Sequence, residues 1–267
     1  MKVLQSHAVR LAALVLISAL ALQLFFFARI AGMRWIDPES SAFQRSEVWR
    51  LATEKHQVMW SQRWVPYTQI ADSLKRAVIT SEDAGFIDHS GVEWDAIEKA
   101  WTRNQRAEAQ ADKLNESRQR REEQAAARRK SAEAEARKVA TPVQPKLVGG
   151  STISQQLAKN LFLSGERTAL RKAEELLITL MLESLLSKQR ILEIYLNNVE
   201  WGEGLFGAQA AARYYFQIDA ARLGPGQAAR LAVMLPAPKR FEKRPGSAYV
   251  LGRSATVAAR MGAVELP

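Results

Sequence analysis

Between residues 149 and 175 the chain reads GGSTISQQLAKNLFLSGERTALRKAEE, a run in which hydroxyls, amides, cations and carboxylates recur at spacings a helix would align. Gly149 and Gly150 admit a tight turn, and Ser151 or Thr152 can cap a helix by accepting a hydrogen bond from an otherwise unpaired backbone N–H. Ile153, Leu157 and Leu161 then repeat every four residues as a packing face, while Thr152, Gln155, Gln156 and Lys159 line the other side. Arg167, Arg171, Lys172 and Glu175 follow, so that several cations and a carboxylate can converge on one anionic ligand. Arginine grips phosphate oxygens in a fixed fork and lysine acts as a point charge. A solvated helix gives the same spacing, because Arg171 and Glu175 also form an ordinary i, i+4 pair. Spacing alone leaves both readings open.

A second constellation lies upstream. Asp72 can cap a helix in which Leu74, Ala77 and Val78 recur at helical steps, and that helix delivers the adjacent carboxylates Glu82 and Asp83. His89-Ser90-Gly91 reads as a turn, with His89 a locally hydrogen-bonded turn residue, and Trp94, Ile97 and Trp101 mark one side of a further helix.

GGSTISQQLAKN closely resembles the second signature of the family 51 glycosyltransferases, the peptidoglycan polymerases, and ERTALRKAEE resembles their third. SEDAGFIDHSG is similar to the first, RILEIYLNNVEWGEGLFG to the fourth and GQAARLAVMLPAPKRF to the fifth, all in the family's order. The similarity runs roughly from Trp64 to Asn104 and from Leu147 to Arg244. It implies a mainly α, lysozyme-like glycosyltransferase domain acting on lipid II, with release of polyprenyl diphosphate and β-1,4 linkage by inversion of an α-linked donor. By motif position Glu82 is the catalytic base, and Asp83 either raises its pKa or holds structure. Lys159 and Arg167, with Arg171, face the leaving diphosphate. Ser151, Thr152, Gln155, Gln156 and Asn160 supply hydrogen bonds to sugar or phosphate. Glu175 matches the family's second glutamate, which positions a base or helps to hold a divalent ion, so the resemblance admits Mg2+ or Mn2+ as a cofactor.

The elements that must position these groups are less evenly legible. Between Arg10 and Arg29 lie 18 uncharged residues, LAALVLISALALQLFFFA, long enough for one membrane span. A cleaved signal peptide is the rival, since Ala19-Leu20-Ala21 suits a cleavage site, but the apolar run continues through Phe25, Phe26 and Phe27 and favours an uncleaved anchor. Residues 1–30 are thus expected to be a cytoplasmic tip and anchor, 31–63 a juxtamembrane linker, 64–245 the catalytic domain and 246–267 a tail. From Arg103 to Lys138 there are 11 Lys+Arg against 7 Asp+Glu and scarcely a large apolar side chain. Residues 103–146 therefore read as a charged insertion, a solvated helix or disordered. Leu170, Ala173, Leu177, Leu180, Met181, Leu182, Leu185 and Leu186 predict a long helix central to the core. Ser187 can cap the next helix, whose Ile191, Leu192, Tyr195 and Leu196 form a packing stripe, with Glu193 a surface charge and Asn198 and Glu200 weak candidates for substrate contact. Gly224-Pro225 opens another helix. No run of alternating strands is evident.

Composition sets the outer bounds. A chain of 267 residues can bury one sizeable core, and the absence of cysteine excludes disulfide scaffolds, thiolate metal sites and thiol nucleophiles. The net charge of +10 suits an anionic partner. Nucleic acid is disfavoured because the basic run lacks interleaved aromatics. The partners implied are lipid II, the growing glycan strand and membrane phospholipid, with cell-division or penicillin-binding proteins as further candidates. Localisation would be the bacterial inner membrane, single-pass, with the catalytic domain on the periplasmic or outer face. No transpeptidase domain is expected. Two other functions compete: a membrane-anchored, non-catalytic scaffold that binds lipid II or divisome proteins, and a glycan-cleaving lysozyme-like enzyme. The cations Lys159, Arg167 and Arg171 argue against the second, because an uncharged glycan has no diphosphate to receive them.

Overall fold

The computed structural model describes residues 2–128, 150–163 and 168–267. The chain divides into two compact units, Met1–Val92 with Thr152–Pro267, and Glu93–Ser151.

The smaller unit is built on helix α4, Trp94–Arg128. It is 35 residues rich in charged side chains and alanine, about 50 Å long at 1.5 Å per residue. The predicted helix after the turn is therefore present, and the part of the expected 103–146 insertion up to Arg128 is helical. The remainder of that insertion lies outside the described residues.

In the larger unit the first helix, α1, spans Lys2–Gly32. Its apolar window Val9–Gly32 is long enough to cross a bilayer. The final turns behave differently. Phe26, Ile30 and Met33 are buried in the domain core, Phe26 meets Phe162 edge-on at 5.2 Å, and the Arg29 guanidinium lies 5.5 Å from the same ring. The expected linker also has structure: α2, Ala42–Arg50, opens on a capping box in which Ser41 Oγ accepts from Gln44 N–H at 3.1 Å and Gln44 Oε1 accepts from Ser41 N–H at 2.8 Å.

Helix α3, Asp72–Glu82, buries Leu74, Ala77, Val78 and Ile79. Ala71, not Asp72, is its N-cap; Asp72 sits inside the first turn, where its charge meets the helix dipole and accepts from Lys75 Nζ at 2.9 Å. Helices α5 (Ile153–Phe162), α6 (Ala169–Leu185) and α7 (Lys188–Asn198) follow, and α5 packs on both of the others. Ser187 Oγ caps α7 by accepting from Arg190 N–H at 3.2 Å, as its position predicts. Helix α6 is less central than its leucines suggest. Only Glu175, Ile178, Thr179 and Leu182 are buried in it, whereas Leu170 is 81 % exposed and Leu177 and Leu180 are about half exposed.

Short strands, absent from the expectation, form a three-stranded sheet in the order β1-β3-β2, from Ser61–Gln62, Leu205–Phe206 and Glu200–Gly202. β1 runs parallel and β2 antiparallel to β3. Gly204, at φ +70°, lets Met59 C=O approach to where a side chain would otherwise stand. Helix α8 covers Ala208–Phe216, α9 runs Pro225–Met234 with Pro225 in its first turn as predicted, and α10 is the single turn Pro238–Phe241. The expected tail instead carries α11, Ala248–Arg260, whose Val250 and Val257 enter the core against α3 and α9.

Candidate active site

Glu82 is the last residue of α3 and is half-buried. Its Oε2 accepts from Gln156 Nε2 on α5 at 3.0 Å, and Gln156 Oε1 accepts in turn from the Tyr195 hydroxyl on α7 at 3.0 Å. An amide offers donors on one side and an acceptor on the other, so a single orientation of Gln156 satisfies both neighbours. Burial pushes the Glu82 carboxyl above its ordinary range; the Gln156 bond opposes this, the Asp83 charge adds to it and the Lys159 charge opposes it. A carboxylate so placed is a better proton acceptor than one in water. Burial likewise raises the Tyr195 phenol well above its ordinary value, with the charges of Glu82 and Asp83 adding to the effect.

Asp83 closes α3 and is itself buried. Its Oδ2 accepts from Ile153 N–H, the first residue of α5, at 2.9 Å, and its Oδ1 pairs with His89 Nε2 at 2.9 Å. His89 Nδ1 accepts from Gly91 N–H at 3.1 Å, which leaves Nε2 to carry the proton toward Asp83. His89 is thus the locally bonded turn residue expected. Its carbonyl accepts from Lys188 Nζ at 2.6 Å, and that ammonium lies 4.5 Å from the centre of the Phe86 ring. Asp83 therefore seats the start of α5 on the end of α3, and this junction carries Gln156 to Glu82.

Thr152 is the cap of α5. Its Oγ1 accepts from Gln155 N–H at 3.2 Å and donates to Gly91 C=O at 2.6 Å, while Gln155 Oε1 accepts from Thr152 N–H at 3.2 Å. Both side chains are buried. Expected as donors to sugar or phosphate, they are engaged instead in holding the helix end. Ser151 precedes the cap and is half-buried; Lys159 is exposed and Asn160 half-buried on the later turns of α5.

At the start of α6 the carboxylate of Glu175 is buried and taken by two cations of its own helix. Arg171 Nη1 donates to Oε2 at 2.8 Å, and Lys172 Nζ donates to Oε1. The i, i+4 pair that spacing left open is formed. A divalent ion held at Glu175 does not fit this arrangement, because both oxygens are already bonded and their charge is met by two cations. Arg167 lies outside the described residues. Glu193, expected as a surface charge, accepts from Tyr67 N–H at 2.9 Å and pairs with Arg190 at 2.7 Å, and Asn198 is buried with its amide donating to Ile194 C=O at 3.0 Å.

The profile of the Transglycosylase family matches residues 51–112 and 119–262. The chain belongs to the transglycosylase family. A biosynthetic peptidoglycan transglycosylase of Paraburkholderia xenovorans is 46 % identical over 258 residues, covering 96 % of this chain and 92 % of the relative. Proteins of the same description from Burkholderia thailandensis and Burkholderia pseudomallei are 49 % and 50 % identical over 248 residues, covering 93 % of this chain and 83 % of each relative. The transglycosylase match encloses Glu82, Asp83, Gln156, Lys159, Glu175 and Tyr195. It also runs through most of residues 103–146, leaving only 113–118 between its two parts. Tyr195 is the residue of this transglycosylase site that its pattern assigned to packing alone; the available signal is that a buried tyrosine needs a partner for its hydroxyl.

Proposed function

We propose that the chain polymerises peptidoglycan glycan strands from lipid II, with Glu82 as the general base. Membership of the transglycosylase family makes it a peptidoglycan glycosyltransferase. The observation that supports the finer reading is the half-buried Glu82 carboxylate at the end of α3, held through one oxygen by Gln156 and raised by burial above its ordinary range. In the transfer the acceptor sugar 4-hydroxyl gives its proton to Glu82 as its oxygen bonds to the donor anomeric carbon. The bond from that carbon to the diphosphate breaks, and its electron pair leaves with the diphosphate. Lys159, exposed one turn beyond Gln156, and Arg167, by motif position, meet the charge that develops there. A positioned carboxylate base contributes on the order of a hundred- to ten-thousandfold.

The anchor belongs to the same mechanism, because a lipid-linked substrate confined to the bilayer is concentrated for an enzyme tethered there. In this reading α1 crosses the inner membrane once and the catalytic unit stands on its outer face. Protease added to spheroplasts is expected to degrade the catalytic unit, and full protection there would reverse the orientation. The reaction is tested by incubating the detergent-solubilised protein with labelled lipid II and resolving polymers on a gel. Parent protein is expected to give polymer and folded Glu82→Gln none. Equal polymer from both would discard Glu82 as the base.

A further inference from the structure

Helix α7 is buried from Ile191 to Asn198 except at Glu193, and a tyrosine there needs explaining. Ile191, Leu192, Ile194 and Leu196 around it are all apolar and inaccessible, and Tyr195 is equally inaccessible. A phenylalanine would fill the same space without the cost of taking a hydroxyl out of water. The hydroxyl has one hydrogen-bond acceptor among the described residues, Gln156 Oε1 at 3.0 Å, and the other end of that amide donates to Glu82 Oε2 at 3.0 Å.

We propose that Tyr195 is a positioning residue for glycosyl transfer, fixing the Gln156 amide so that its NH2 group, and not its carbonyl, faces Glu82. This rests on the reading of Glu82 as the base. A carboxamide can turn end for end with little change in shape, and Gln156, half-buried, stands where both of its ends matter. Turned the wrong way, it would set a carbonyl oxygen against a carboxylate and favour the protonated acid, which cannot accept a proton. The carboxylate at one end can only accept, and the Tyr195 hydroxyl donates to the carbonyl at the other, so the two together hold the amide in the productive orientation, the phenol from below, out of reach of substrate and water. Among the described residues, the charged and titratable groups facing Glu82 are Asp83 beside it, Lys159 from α5 and Tyr195 from α7.

The test is the pH profile of polymerisation by full-length Tyr195→Phe, measured as kcat/KM with labelled lipid II and compared with the parent, Glu82→Gln and Gln156→Met. Losing one hydrogen bond to the ionised carboxylate is expected to move the acidic limb upward by about one pH unit. At a pH below the parent limb the loss is then about tenfold, with KM little changed. A fault in packing alone would lower the folded fraction and leave the limb in place. Gln156→Met removes the same donor from the half-buried side without touching the core, and the double variant is expected to shift no further than Gln156→Met alone. A folded Tyr195→Phe with the parent limb overturns the proposal while leaving the base assignment intact, provided Glu82→Gln is inactive. An unmoved limb in Gln156→Met overturns it even if Tyr195→Phe fails to fold. An active Glu82→Gln removes the base assignment, and this proposal with it.

Discussion

Asp83 presents two buried oxygens to two donors, the Ile153 backbone N–H and His89 Nε2. An asparagine there can keep only one of these acceptors and sets an NH2 against a donor, so Asp83→Asn is expected to cost about 1–3 kcal/mol, read as a lower denaturant midpoint. It also removes a negative charge that raises the Glu82 carboxyl, so the acidic limb of polymerisation should move to lower pH, opposite to the change expected for Tyr195→Phe. Glu200 poses a separate titration problem. It is buried beside Glu47 and 3.4 Å from Lys239 Nζ, and burial is the main reason its carboxyl rises from an ordinary 4.5 to about 7, with Lys239 opposing and Glu47 and Glu242 adding. A carboxyl that binds its proton more tightly when folded favours folding below the ordinary value. That contribution is lost as pH rises from 4.5 to about 7, and is gone above it. The span corresponds to roughly 3 kcal/mol. Glu200→Gln is expected to flatten this decline, as followed by denaturant midpoints between pH 5 and 8.

Helix α5 was the element most legible in sequence, because its glycine turn, hydroxyl cap and four-residue apolar repeat are all local signals. The same locality explains what could not be read. Gln156 meets Glu82 across 74 residues of chain and Tyr195 across 39, and no spacing rule reaches that far; only the likeness of the motifs pointed to Glu82. Periodicity counts apolar positions without saying which are covered, and so overstates how central α6 is. Strands of two and three residues have no period to detect, so the sheet leaves no pattern in the sequence. The C-terminal helix had a signal, Ser247 as cap and Val250, Ser254 and Val257 at helical steps, but the family signatures end before it. Thr152 holds both the start of α5 and the Gly91 carbonyl. Thr152→Ala is expected to cost about 1–2 kcal/mol and to loosen Gln156 along with the helix end, measurable as faster amide exchange at Gln155 and Gln156.

At the scale of the molecule the apolar helix α1 and the core share residues. Removing residues 1–21 leaves Phe26, Ile30 and Met33 in place, and the protein in detergent is expected to melt as the full chain does. Removing residues 1–33 takes all three from the core, at about 1.5–3 kcal/mol for each fully buried side chain, and deprives Arg190 Nε of the Met33 carbonyl it bonds at 2.8 Å. That truncation should melt well below the parent.

The apolar window of α1 is 24 residues, about 36 Å of helix, against roughly 30 Å of hydrocarbon, and its last turns are gripped by the domain. Anchored as proposed, the enzyme would be moored with almost no slack. So moored, it would not swing out along a lengthening product, and each new linkage would be made at one height above the lipid surface. Successive additions then require the polymer to advance past a stationary workpoint, in the way thread is drawn through a fixed eye.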